Sequence, residues 1–459
     1  MLPINRRNFI KIGAGALAAN MAGSIPLFAG SGSSTRKTET AKIYTIFFGI
    51  APSKDDTHLV PLSNEELMRQ LKRDCLGVDF TIRDLTKSAK FDTVLNEIGD
   101  LQRLNYDGVI VYGWPRDYKV LKSGLPTINI SIINDFMNNP VKIYHENKVV
   151  PAFLDPWKFS ASVKNINLMY NDLVEKIKLI TALKKLRAST ILTVTDNPFV
   201  NVTYGDALKQ SPEKYNELIL DAILSTLGTK VIKIGSDEVC SDKEIKELWF
   251  NESKRANEIA KRWINNAVKM INTIESEVVR SAKCYLAMKL LMKKYEANSM
   301  AFHIRAFEKN PKPEDYVTPA LATSEFQKHS IVAKCQSHLN IILSEMVLQF
   351  ALGIPSMLGD FSVDIYNNTS MVQHCEGPWN PWGGEKTVPY IITDHRERRV
   401  RERSKPGVSA ASWILYPPDE PVTIWQLDVL KKEILFHVGK TTPIYTKDSI
   451  YKDHLWEMM

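Results

Sequence analysis

The chain has 459 residues, 59 Lys and Arg against 52 Asp and Glu, a net charge of +7, and 44% hydrophobic and 24% charged residues. These are the proportions of a globular protein of roughly two to four domains, and they exclude collagen-like, disordered and small disulfide-stapled classes. The positive surplus is no argument for nucleic acid: Arg6, Arg7 and Lys11 supply part of it, and a run from Arg396 to Lys405 supplies the rest.

Residues 1–30 read as a targeting signal. Arg6-Arg7 precede Phe9-Ile10-Lys11 and a weakly apolar, Gly- and Ala-rich run, which is the pattern of the twin-arginine route. That run is too rich in Ala, Gly and Asn for a good permanent span. Residues 31–40, rich in Ser, Thr and Gly, read as a linker. The expectation is an exported, periplasmic protein that engages the twin-arginine export machinery. Cys75, Cys240, Cys284, Cys335 and Cys375 form no Cys-x-x-Cys pair, and buried free thiols are expected.

From Ala41 onward apolar strands alternate with amphipathic helices. In the first unit, residues 41–158, strands are expected over 43–50, 107–112, 127–131 and 141–154, with helices over 65–72 and 91–104. A long helix over 162–185 then opens a central unit, 159–325, with strands over 190–194, 230–234 and 300–304 and helices over 241–249 and 256–286. Such alternation predicts two doubly wound parallel-sheet α/β domains. The last part, 326–459, has one helix over 339–352. Short β-rich pieces follow over 356–358, 369–374, 390–393, 409–416 and 422–426, which suggest a barrel-like β-rich domain.

There is no Walker loop, no Gly-x-Ser-x-Gly elbow and no His-Glu-x-x-His in the chain. The informative stretch is 333–395, which holds Gln336, Ser337, His338, Glu345, Asp360, Asp364, His374, Cys375, Glu376 and His395. Each has a bland alternative: a turn cap for Asp360, a helix-start cap for His338, the helix body for Glu345, and core histidines for His374 and His395. Trp379 and Trp382 could stack on a sugar ring or anchor a loop. Trp114, at a strand end of the first unit, lies where parallel sheets place ligands. Asp155-Pro156-Trp157 has the same placement. The basic run that includes Arg398 is either a solvated stripe or a wall facing an acidic or sulfated sugar.

The segments Lys334-Cys-Gln-Ser-His-Leu-Asn340, Pro355-Ser-Met-Leu-Gly-Asp360, Gln373-His-Cys375 and Tyr390-Ile-Ile-Thr-Asp-His395 resemble the C-terminal half of the L-fucose and L-arabinose isomerases. The resemblance implies a three-domain fold and a trimer or hexamer. It also implies aldose–ketose isomerisation through an enediolate, assisted by a divalent metal, usually Mn2+. By position, Gln336 and Asp360 would take the catalytic places, and Asp360, His374, His395 and His338 the metal shell. Independently of the resemblance, residue type and placement make Trp379, Trp382, Arg398 and Trp114 the candidates to bind the sugar. Gln336 departs from the pattern, since a neutral amide cannot act as a base, and His338 would favour Zn2+ over Mn2+. Glu325, Glu345 and Glu376 are candidates for a replacement base. The expected function is a divergent, exported sugar isomerase acting on a small-molecule carbohydrate. The alternative is a periplasmic sugar-binding protein that has lost turnover, and a structural partner in a larger assembly is the third reading.

Overall fold

The computed structural model describes residues 40–48, 63–86, 90–113, 118–130, 149–151, 163–196, 211–302, 317–366, 368–395 and 409–442. The signal with Arg6 and Arg7, Trp114, Asp155-Pro156-Trp157 and the run with Arg398 lie outside the described residues. The chain divides into two compact units between Lys185 and Leu186.

The first unit contains β1 (Ala41–Phe47), α1 (Asn64–Asp74), β2 (Val78–Asp84), α2 (Phe91–Asp100), β3 (Gly108–Tyr112), β4 (Thr127–Ile130), β5 (Val149–Pro151) and most of α3 (Val163–Arg187). Its strands form one parallel sheet in the order β2-β1-β3-β4-β5. Side chains of β1 alternate between the two faces, as a strand requires. Ile43 and Phe47 pack with Leu67 and Leu71 of α1 and Leu173 and Ile177 of α3, whereas Tyr44 and Ile46 pack with Val94 and Ile98 of α2. Every residue of β3 is buried, as expected of a central strand covered on both faces. The α1 helix starts where Ser63 accepts a bond from the Glu66 N–H at 3.2 Å, and it ends on Lys72 and Arg73, which complement the helix dipole. At the exit of β3, Gly113 has φ +97°, and a Cβ there would lie 2.1 Å from the Phe48 carbonyl oxygen. Only glycine lets the chain leave the strand on this path. The long helix α3, read from the sequence as the opening of the central domain, packs here through Met169, Leu173, Ile177 and Ile180.

The second unit begins with β6 (Thr190–Val194), α4 (Pro212–Leu227), β7 (Lys230–Ile234), α5 (Ser236–Ser241), α6 (Lys243–Phe250), α7 (Lys254–Asn266), β8 (Lys269–Met270) and α8 (Glu275–Lys294). It continues with β9 (Ser299–Phe302), α9 (Ala320–Lys328), β10 (Ala333–Lys334) and α10 (Leu339–Leu352). A parallel sheet runs in the order β10-β9-β6-β7. Its core gathers Leu192, Val194, Met300 and Phe302 from the strands with Trp263 of α7, Met288 and Leu291 of α8 and Phe326 of α9. The single helix expected over 256–286 is two helices, because β8 interrupts it and pairs with β13 (Tyr390–Thr393). There Val268 N–H donates to Tyr390 O at 2.8 Å, and Ile271 N–H donates to Ile392 O at 2.9 Å.

The remaining strands are β11 (Asp360–Asp364), β12 (Thr369–Gln373), β14 (Ala411–Ile414), β15 (Pro421–Asp428) and β16 (Glu433–Lys440). They do not make the barrel-like domain expected from the sequence. Among the described residues they form two separate hairpins, β11-β12 and β15-β16, and a three-stranded sheet β14-β13-β8. Both hairpins leave apolar side chains exposed, such as Phe361 and Val363 in one and Leu435 and Phe436 in the other, so neither hairpin folds its apolar side fully into a closed β core. The fold is therefore a mixed α/β one, with parallel sheets flanked by helices. Among the described residues no helix is long and apolar enough to cross a membrane.

Candidate functional site

The chain leaves β10 at Lys334, passes through Cys335 and Gln336, and enters α10 with His338 at the N-cap position. Strand ends that lead into helix starts are where parallel α/β sheets present ligand-binding groups. A second arm, His374-Cys375-Glu376, follows β12, and a third, Asp394-His395, follows β13.

Lys334 anchors this corner. Its Nζ lies 2.9 Å from Glu345 Oε1 and 3.8 Å from Glu376 Oε1, and the three side chains are at most 3% exposed. Nζ also donates to the Ser356 carbonyl at 3.2 Å. Glu345 Oε1 accepts further bonds from Ser356 N–H at 3.3 Å and from the Gln327 amide at 3.4 Å. Burial pushes the Glu345 carboxyl up to about 7, against the opposing pull of Lys334. Glu376 is also raised, again chiefly by burial. Buried charge of this kind contributes little net stability for its desolvation cost, and its better-attested use is to hold one arrangement of the surrounding chain. The arrangement held here joins the two arms, since Glu376 Oε2 accepts the Cys335 N–H at 3.2 Å.

Beside this ionic cluster stand two thiols and an imidazole. Cys335 Sγ is 3.7 Å from Cys375 Sγ, and His374 Nδ1 is 3.7 Å from each sulfur. The bond from Cys335 lowers the Cys375 thiol well below its ordinary range, and the charges of His374 and His395 add to that against the effect of burial. Burial and the neighbouring Cys375 raise the Cys335 thiol. Burial alone would lower His374, but the negative charge on Cys375 outweighs it and lifts the imidazole to about 9. The site thus favours a Cys375 thiolate and a His374 imidazolium. The Gln336 amide lies 3.1 Å from His374 Nε2. With Nε2 protonated, the amide must present its oxygen to the ring, because the amide orientation follows the hydrogen bond it makes.

Of the residues singled out in the sequence, Gln336 and His374 are therefore in direct contact. His338 is shifted down, first by burial and then by His374, while Asp360 opposes this, so those three groups share one electrostatic neighbourhood. His338 occupies the N-cap position, but its side chain makes no capping bond. Asp360 is exposed at the first position of β11, opposite Gln373 of β12. His395 is 4% exposed, its Nδ1 has no hydrogen-bond partner, and its charge reaches Cys375. These residues do not gather into the four-ligand shell expected of them. Among the described residues, the group whose donor atoms lie within 4.8 Å of one another is Cys335, His374 and Cys375.

Trp379 corrects the expectation of a sugar-stacking residue. It is 3% exposed, stacked on Tyr390 at 4.5 Å and edge-on to Trp263 at 6.2 Å, so its faces belong to the core. Trp382 is half-buried, with the Lys386 ammonium 3.9 Å over its ring, a cation–π contact that occupies one face. Glu325 lies at a different place. It is held by Arg262, by Trp263 Nε1–H at 2.9 Å and by His329, at the edge of a cleft of about 310 Å3 among α7, α8 and α9.

Cys335 and Lys334 carry no close-spacing signal, because the two thiols that meet here are 40 positions apart and form no Cys-x-x-Cys pair. The useful signal was a Lys-Cys at one strand end and a His-Cys-Glu after another.

No family model matches the chain, and no curated protein matches it. Similar solved structures include an ABC-transporter solute-binding protein from Burkholderia multivorans, at 12% identity and TM-score 0.18 over 68% of this chain and 93% of that one. Another is a periplasmic solute-binding protein from Actinobacillus succinogenes with bound D-allose, at 10% identity and TM-score 0.17 over 68% and 91%. A third is a periplasmic sugar-binding protein from Legionella pneumophila, at 16% identity and TM-score 0.18 over 67% and 94%. At such scores the likeness assigns no residue a role. These neighbours are solute-binding proteins and not sugar isomerases, and the expected membership of the L-fucose and L-arabinose isomerases, with its aldose–ketose chemistry, is corrected accordingly.

Proposed function

We propose that the protein is an exported carbohydrate-binding protein that takes a small sugar or sugar acid at the β10–β12 corner and releases it unaltered. The observation that carries this reading is the Gln336 amide 3.1 Å from His374 Nε2, with the half-buried His338 at the start of α10 and the exposed Asp360 at the start of β11. An amide, imidazoles and a carboxylate offer donors and acceptors in both senses, which suits the hydroxyls of a sugar. Gln336 cannot remove a proton, and the nearby Glu345 carboxylate is engaged by Lys334, Ser356 and Gln327. Neither of these two positions supplies a free base for isomerisation, which supports binding without turnover. The reading agrees with the solute-binding neighbours and does not rest on them. Export by the twin-arginine route belongs to the proposal on the strength of Arg6-Arg7 and the run after them.

A panel of neutral aldoses, uronates and sulfated sugars, screened by thermal shift on the purified protein, tests the reading. At least one member should raise Tm in a concentration-dependent way, and nuclear magnetic resonance should recover the same sugar after prolonged incubation. A panel without any stabilising member overturns the binding reading, and a converted sugar overturns the absence of turnover. Uronates and sulfated sugars come first because six basic residues between Arg396 and Lys405 follow His395 in the chain.

A further inference from the structure

We propose that Cys335, His374 and Cys375 bind a thiophilic divalent metal ion, zinc by the chemistry of the set, in a three-ligand site with an exchangeable fourth position. The inference stands on the arrangement of three donor atoms and is independent of the carbohydrate reading.

Tetrahedral zinc, at about 2.3 Å from sulfur and about 2.0–2.1 Å from nitrogen, keeps two sulfur ligands about 3.8 Å apart and a sulfur and a nitrogen about 3.5 Å apart. The corresponding separations here are 3.7 Å for the two sulfurs and 3.7 Å from His374 Nδ1 to each of them. The three donor separations match those of such a tetrahedron, and because Cys335 Sγ also lies 4.0 Å from His374 Nε2, the ring must turn to aim Nδ1 at the ion. A disulfide would need the sulfurs at about 2.05 Å.

The surroundings support the donors as a metal site does. Gln336 meets His374 on Nε2 at 3.1 Å, which occupies that nitrogen and leaves Nδ1 for the ion, the usual division of labour between a ligating histidine and its hydrogen-bond partner. Glu376 holds the Cys335 backbone N–H at 3.2 Å and so ties one ligand-bearing arm to the other. Two thiolates neutralise a divalent cation, and the Cys335 thiol proton and the His374 Nδ1 proton leave to solvent as it binds. Sulfur and imidazole select zinc over manganese, which prefers carboxylate and water oxygens. Cys335 is buried while His374 and Cys375 are half-buried, which leaves a route for the ion. His395 stands outside the 4.8 Å cluster, so the fourth position falls to water or an incoming ligand, as in zinc sites with three protein ligands.

Cobalt substitution of the full-length chain, reduced with a phosphine and freed of metal, reads the site directly. One equivalent of Co2+ should produce a thiolate-to-cobalt charge-transfer band and intense visible bands of four-coordinate cobalt, and Zn2+ should abolish both. Cys335→Ser and Cys375→Ser should each remove most of the charge-transfer intensity, and Gln336→Ala should weaken Zn2+ binding about 10-fold. Cys75→Ser/Cys240→Ser/Cys284→Ser should change neither. Reduced wild-type protein that gives no thiolate–cobalt band overturns the proposal without reference to any variant. So does a band that survives unchanged in a folded Cys335→Ser or Cys375→Ser protein, with folding checked by circular dichroism.

Discussion

The sheet of the first unit and the β10–β12 corner of the second are both deeply buried, but with opposite chemistry. In the sheet, Ile43, Ile110, Val111 and Ile128 are at most 2% exposed and meet other apolar groups. At the corner the buried groups are Lys334, Glu345, Glu376 and Cys335, beside the half-buried His374 and Cys375. Burial of the first kind stabilises at roughly 25 cal/mol per Å2 of apolar area. Burial of the second kind costs desolvation and repays it only through pairing. The contrast separates residues that make the fold from residues that the fold is used to hold.

The largest expected effect tests that separation at Trp379, which moves from candidate ligand contact to core. Trp379→Ala should cost about 3–5 kcal/mol in urea unfolding and leave ligand affinity of the folded protein unchanged. A small stability loss with lost affinity would return Trp379 to the site. Next comes the corner itself. With the Glu345 carboxyl at about 7 in the folded protein against an ordinary 4.5, its protonated form is favoured by folding. Its contribution is complete below pH 4.5, declines as pH rises and is gone above about 7, a change of about 3 kcal/mol. Urea unfolding across that window should show the decline in the wild type and a flatter profile in Glu345→Gln.

Smaller changes sharpen the comparison from the sheet side. Ile110→Val removes one methyl group from a fully buried position and should cost about 0.5–1.5 kcal/mol, with no dependence on pH between 5 and 8 beyond that of the wild type. The smallest effect should come from Glu97→Gln, which breaks the two-point ion pair with Arg83 at 2.7 and 3.0 Å and leaves an amide oxygen to accept the Tyr44 hydroxyl. The side chains are 36% and 29% exposed, and solvent screening limits the loss to under about 1 kcal/mol. An effect as large as that at Trp379 would show that the edge of this sheet is more than a solvated margin.

Much of the fold is legible in the sequence wherever apolar runs are long or periodic. The strands Thr190–Val194, Lys230–Ile234 and Tyr390–Thr393 and the helix Leu339–Leu352 stand where the pattern places them. Val78–Asp84 was not legible as a strand because this edge strand mixes charged and apolar residues and has one buried side chain, Phe80. β11 and β16 were missed for a related reason: both are largely exposed hairpin strands, with no core face to impose a pattern. The two-residue β8 carries no periodic signal at all, and its position depends on pairing with Ile391 and Ile392, more than a hundred residues away.

The candidate site was legible as a neighbourhood and not as a geometry. Gln336, His338, His374 and His395 could be picked out by residue type near strand ends, and the contact of Gln336 with His374 agrees with that choice. The pairing of Cys335 with Cys375 and the burial of Lys334 between Glu345 and Glu376 depend on the β11-β12 hairpin bringing its far end back beside β10. No local spacing encodes such a return.

The most direct test of the account is calorimetric titration of the best-stabilising sugar of the panel into wild-type protein and Gln336→Ala. The account predicts a single saturable site in the wild type and a loss of affinity of about 10-fold in the variant, equivalent to about 1.4 kcal/mol. Equal affinity in the two proteins would contradict it, because the sugar would then bind away from the β10–β12 corner.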